Sequence, residues 1–194
     1  MKKINNKTKG YLSCIALLFL SVNLIQAQEL KLVNSESSLT IYGTSSIHDW
    51  QEDAESQTGK IVFSNLETGE IEALSIAIEA ESLKSGKSGM DKNTYKALNT
   101  KKHKQITFQL TKVESVNAKG NGVYDLKTVG DLTIAGTKKS IALDFKLTVK
   151  GAMATLDGEK KIKMTQFNVD PPTAMLGAIT TGDDLTIKFK TTFK

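Results

Sequence analysis

The chain is 194 residues long, with 26 basic and 21 acidic residues and a formal net charge of +5. Hydrophobic residues make up 39% of it and charged residues 24%, the balance of one ordinary globular domain. Every basic residue is a lysine, so the guanidinium fork that grips phosphate is missing throughout, and the position of the positive charge decides whether nucleic acid is a candidate partner.

The first predicted element is an export signal at residues 1–27. Lys2, Lys3, Lys7 and Lys9 form a positive start without an acid, residues 11–25 are a mostly apolar run, and Ile25-Gln26-Ala27 ends on a small residue. A transmembrane anchor is the rival reading. The run is interrupted by Cys14, Ser21 and Asn23, and it falls short of the roughly 20 apolar residues needed to span a bilayer. Cleavage after Ala27 leaves 167 of the 194 residues. It removes four of the 26 lysines and no acid, so 22 bases face 21 acids, a net +1. The expected product is a periplasmic or secreted domain over residues 28–194, with no nucleic-acid footprint and no stable membrane anchor. Cys14 is the only cysteine and falls inside the signal. Most of the apolar run follows it, the wrong order for a lipid-attachment site. The exported domain therefore has neither a disulfide nor a thiolate metal site.

Alternation dominates the exported domain. Leu39/Ile41, Ile61/Phe63, Leu74/Ile76/Ile78 and Ile106/Phe108/Leu110 read as strands with one apolar and one wet face. The same holds for the run from Leu126 to Ile134, for ten residues from Ile141 to Lys150, for Ile162/Met164 and for Leu185/Ile187/Phe189. Turn signals fall at Gly120-Asn121-Gly122, Ala135-Gly136-Thr137, Asp157-Gly158 and Gly182-Asp183. Residues 85–104 break the rhythm. Met90, Tyr95, Ala97 and Leu98 suggest a short helix there, with Asp91 near its start and Lys101 and Lys102 past its end, as the helix dipole favours. Pro171 and Pro172, the only prolines, mark a fixed loop. The expectation is one all-β domain, a sandwich or barrel of eight or more strands, with a helix placed to flank a mouth.

Sites of chemistry are sparse. His48 and His103 lie on different segments, and neither has a partner at ligand spacing, so no metal site is expected. In Ile47-His48-Asp49-Trp50, an extended backbone sends His48 and Asp49 to opposite faces. The favoured reading has Trp50 packed inward and His48 bonded locally. Asp183-Asp184 reads as turn residues rather than an acid/base pair. No nucleophile elbow or phosphate-binding glycine loop occurs, and no enzyme, catalytic residue or cofactor is expected. The cluster Lys101, Lys102 and Lys104 reads as a solvated face, with an anionic head group as the alternative. A barrel interior lined by Leu, Ile, Val, Phe and Met suits an apolar chain if it is hollow, but periodicity does not separate hollow from filled.

Five segments together resemble the YceI family of exported, lipocalin-like proteins. They are Gly43-Thr44-Ser45-Ser46-Ile47-His48-Asp49-Trp50, Met90-Asp91-Lys92-Asn93-Thr94-Tyr95-Lys96-Ala97-Leu98, Ile106-Thr107-Phe108, Gly130-Asp131-Leu132-Thr133-Ile134-Ala135-Gly136-Thr137-Lys138-Lys139 and Gly182-Asp183-Asp184-Leu185-Thr186-Ile187. The resemblance implies an antiparallel barrel of about eight strands with an apolar tunnel, binding a polyprenyl or quinone-like lipid, in some members within a stress or acid response. It supplies no catalytic residues. Candidate lining residues are Ile41, Trp50, Phe108, Phe145, Met164, Phe167, Met175 and Phe189, and rim candidates are His48, Lys101 and Lys102. His103-Lys104-Gln105 stands where the family often has an aromatic-proline pair.

The expected function is sequestration or transport of an isoprenoid-like lipid. The alternative is an envelope interaction module with a filled barrel. A glycan-binding sandwich is disfavoured by the single Trp and four Tyr. A homodimer is left open.

Overall fold

The computed structural model describes residues 27–194. The predicted export segment, except for Ala27, lies outside the described residues, and Cys14 lies there with it.

Among the described residues thirteen strands form one curled antiparallel sheet, more than the roughly eight the resemblance implied. In chain order they are β1 (Gln28–Lys31), β2 (Ser38–Ser45), β3 (Trp50–Ala54), β4 (Gln57–Asn65), β5 (Glu70–Glu79), β6 (Leu83–Lys84), β7 (Gln105–Gly120), β8 (Val123–Ile134), β9 (Thr137–Ala142), β10 (Phe145–Lys150), β11 (Met153–Lys163), β12 (Thr173–Ala174) and β13 (Ile179–Phe193). The helix α1 spans Ser88–Leu98. The main path of the sheet runs β1-β4-β5-β7-β8-β10-β11-β13-β2-β3-β6. A Leu32↔Phe193 bridge and reciprocal backbone bonds of 2.8 and 2.9 Å between Lys31 and Lys194 join the first strand to the last at one end.

The excess strands have physical causes. The regular run from Ile141 to Lys150 is two strands, because the chain bends at Leu143-Asp144. The Leu143 N–H donates to the Thr128 carbonyl at 2.9 Å, and the fully buried Thr128 hydroxyl donates back to the Leu143 carbonyl. β9 and β10 then lie end to end along β8. β3 is Trp-Gln-Glu-Asp-Ala, too polar to announce itself, and β6 and β12 are two residues each.

Two predicted turns are strand interior instead. Gly182 and Asp183 sit in β13 at a register shift, and Asp157-Gly158 sits mid-β11. Gly158 is required there for close approach: a Cβ would stand 2.8 Å from the Phe189 ring and 3.0 Å from the Asp144 carbonyl oxygen. The actual β10–β11 turn is at Gly151, in the left-handed region at φ 58°. The other two turn signals fall at hairpins, with Asn121 (φ 53°) joining β7 to β8 and Ala135-Gly136 (φ 47° and 79°) joining β8 to β9.

The inward stripes divide the domain lengthwise. Toward the joined end, Ile61, Phe63, Leu74, Leu126, Leu147, Leu156 and Phe193 are essentially inaccessible and fill the sheet. Toward the other end β5, β8, β11 and β13 present Ile76, Ile78, Leu132, Ile134, Ile162 and Ile187 to an open cavity. These four strands thus change from core to wall along their length. The barrel is filled in one half and hollow in the other, two states that alternation alone reports identically.

Candidate ligand cavity

The hollow half encloses about 530 Å³, within the range of small-molecule sites. Its wall is drawn from β2, β3, β5, β7, β8, β9, β11, β13 and α1, and it is overwhelmingly apolar. Phe108 and Phe189 border it near its boundary with the filled half, together with the buried Thr191.

One side of the wall has no backbone ladder. Among the described residues β9 pairs only with β8, and β11 beyond Asp157 pairs only with β13. A 3-10 turn at Met164–Phe167 follows β11, and Met164 and Phe167 border the cavity together with Ile141, Leu143 and Ile162. Asp183 fixes this turn. Its carboxylate accepts from the Thr165 N–H at 2.9 Å and the Thr165 hydroxyl at 2.7 Å, which holds its pKa below the ordinary value, with Lys163 nearby adding to the effect. Asp184 instead pairs with Lys163 at 2.8 Å. The two acids therefore serve as strand-borne anchors for the turn.

The helix forms another side of the wall. Met90, Asn93, Thr94, Ala97 and Leu98 border the cavity, while Tyr95 donates from the opposite side to the carbonyls of Glu81 and Leu83 at 2.8 and 3.1 Å. Asp91 accepts from the Ser85 N–H and hydroxyl at 2.9 and 2.6 Å, which lowers its pKa and holds the chain leading into the helix. Asn99 ends the helix in the left-handed region at φ 49°.

The structure separates the sequence-nominated residues into two groups. Ile41, Trp50, Phe108, Met164, Phe167 and Phe189 border the cavity, and His48 stands at its edge. Phe145 does not: the bend at Leu143-Asp144 places it opposite Leu126 in the filled half. Met175 is 75% exposed on the loop before β13, where left-handed backbone at Met175 and Leu176 aims both side chains outward. Lys101 and Lys102 lie exposed beyond the Asn99 cap and do not border the cavity. His103 packs against Gly136, and His48 has Nδ1 2.8 Å from the Asp49 carbonyl oxygen, so the two histidines have separate local roles. Among the described residues no cluster of three His, Cys, Asp or Glu side chains is arranged to hold a metal.

Trp50 owes its position to Gly43, its cross-strand partner. A Cβ on Gly43 would come within 2.2 Å of the indole, so only glycine lets the ring lie across β2. The indole N–H donates to the Thr44 carbonyl at 2.9 Å.

Sequence reasoning missed Glu52 and Thr94. Glu52 is only 2% exposed, borders the cavity, and accepts a hydrogen bond from the Thr94 hydroxyl of α1 at 2.5 Å. Burial pushes the Glu52 carboxyl pKa up; the Thr94 bond opposes that rise and the nearby Asp91 charge adds to it. The signal was present in strand parity, because an inward Trp50 makes Glu52 inward too.

Comparison with known proteins adds three findings. The model of the family described as "YceI-like domain" matches residues 30–193. Protein YceI of Escherichia coli O17:K52:H18 (strain UMN026 / ExPEC) is 34% identical over 104 residues, covering 50% of this chain and 51% of that protein. The matched region thus spans about half the length of that curated relative. Among solved structures, BcnA of Burkholderia cenocepacia superposes with a TM-score of 0.66 at 19% identity, covering 83% of this chain and 98% of that one. A polyisoprenoid binding domain from Saccharophagus degradans, implicated in plant cell wall breakdown, superposes at 0.68 with 11% identity, covering 87% and 99%. At these identities the two superpositions speak to the fold.

Proposed function

The chain belongs to the YceI-like family, and we propose that it is an exported binding protein that holds an amphiphilic, isoprenoid-like lipid in the hollow half of its barrel. The observation that carries this reading is the apolar cavity of about 530 Å³. A core selected only for stability would be filled, because interiors are close-packed and each methylene buried in place of a void contributes roughly 0.8 kcal/mol. Here the strands that fill one half leave the other open, lined by side chains suited to a hydrocarbon. The Saccharophagus degradans domain of the same fold is described as polyisoprenoid binding, which supports the ligand class.

Carriage rather than catalysis fits the composition of the wall. Most of the side chains lining it are apolar, and His48 is occupied by its own loop. The charge and hydropathy of residues 1–27 support export to the periplasm or the cell exterior as part of this reading.

Native mass spectrometry of the purified protein, followed by lipid extraction, tests the reading. The expected result is a co-purified adduct of lipid mass, or stoichiometric uptake of a polyprenol or quinone after delipidation. A homogeneous ligand-free mass that takes up neither would overturn it.

A further inference from the structure

Glu52 is the one charged-type side chain among the buried described residues. Its Oε1 is occupied by Thr94. Its Oε2 takes no hydrogen bond from any described residue, yet it is not sealed in, since the enclosed side-chain atoms without a partner are both on Gln57. With Glu52 bordering the cavity, Oε2 opens onto that space. Among the described ion pairs none involves Glu52, and the acid acting on it through space is a further carboxylate, Asp91.

A cavity that held only hydrocarbon would be better served by an apolar side chain at this position, because an incompletely bonded buried carboxyl is costly. The same carboxyl is unfavourable beside an anionic head group, and no guanidinium is available to compensate. The lysines that border the cavity, Lys87 and Lys160, are the exposed and half-exposed members of its wall. A hydroxyl suits Oε2 in either protonation state, since it both donates and accepts.

Resting on the lipid-binding reading, we propose that Glu52 and Thr94 form the polar subsite of the cavity, which hydrogen-bonds an uncharged hydroxyl on an otherwise apolar ligand and discriminates against phosphate and carboxylate heads. Glu52 thereby sets head-group selectivity, while the hydrophobic wall supplies affinity for the chain.

The test uses delipidated protein and three probes sharing one prenyl chain: the alcohol, the monophosphate and the unsubstituted hydrocarbon. Binding is read by Trp50 fluorescence and native mass spectrometry for wild type, Glu52→Gln, Glu52→Leu and Thr94→Ala, with thermal unfolding to establish that each is folded. Wild type is expected to prefer the alcohol over both other probes by about tenfold or more. Glu52→Leu reduces the alcohol-to-hydrocarbon preference about tenfold. Glu52→Gln, which preserves shape if the leucine variant does not fold, retains alcohol binding and gains phosphate binding. Equal affinity for all three probes in wild type, or phosphate bound most tightly, overturns the subsite and leaves chain binding intact. Uptake of none of the probes removes both proposals.

Discussion

At position 52 a carboxyl occupies an inward site whose strand neighbours, Trp50 and Ala54, are apolar. Its raised pKa fixes the sign of a measurable stability effect. Between the ordinary glutamate value of about 4.3 and the raised folded value, the folded state holds the extra proton. Stability from this group is therefore full below that window and falls as pH rises through it. Asp91 and Asp183 act in the opposite sense: their lowered values give a contribution present at neutral pH and lost on acidification. Subtracting the unfolding free energy of Glu52→Gln from that of wild type across pH isolates position 52. The variant should gain on wild type from acid toward neutral pH, by about 1.4 kcal/mol for each tenfold difference in proton affinity between the folded and unfolded carboxyl. A difference that is flat with pH would show the carboxyl to be solvated in the folded protein, and one that moves against the variant would show its charged form to be stabilised there. This residue was legible only through parity. An acid is usually read as a wet-face residue, and the helix that supplies Thr94 is 42 residues away in sequence.

At the scale of elements, the hollow half depends on short segments that carry little hydrogen bonding of their own. The turn Met164–Phe167 stands beside the gap between β9 and β11, and Asp183 ties it to β13 through Thr165. Asp183→Ala should loosen the turn, and its effect should be local. Hydrogen exchange at Asn168 and Val169, whose amides donate back to Thr165 and Met164, should accelerate about tenfold or more while the amides around Leu147 keep their protection. Unchanged exchange at 168–169 would mean that side-chain burial alone holds the turn. The strongest sequence patterns located most long strands correctly, because each strand alternates where one of its faces is buried. They failed where tertiary need overrides local habit. Gly158 looked like a turn and is a close-approach site, and the ten-residue run through Leu143 looked like one strand and bends to meet Thr128.

For the whole molecule, an all-β domain with one helix was legible from alternation and turn chemistry, and the curled sheet follows from strands that each bury one face. Which lining residues meet was partly legible. Six of the eight nominated side chains border the cavity, and the other two were displaced by a bend at 143–144 and by left-handed backbone at 175–176. The division into a filled and a hollow half was not legible, since Leu147 and Ile187 occupy equivalent places in their alternating patterns and differ only in position along the barrel. That division is the central claim, and it is tested most directly by titrating a prenyl alcohol into wild type and into the double variant Ile134→Phe/Ile187→Phe, read by the fluorescence of Trp50, the only tryptophan. Both positions face the open space, so added rings should fit there without the overpacking expected in the filled half. The predicted result is saturable uptake of one ligand per chain by wild type and none by the double variant, with the variant melting no lower. Equal uptake by both proteins, or a variant that unfolds for want of room, would contradict a hollow half.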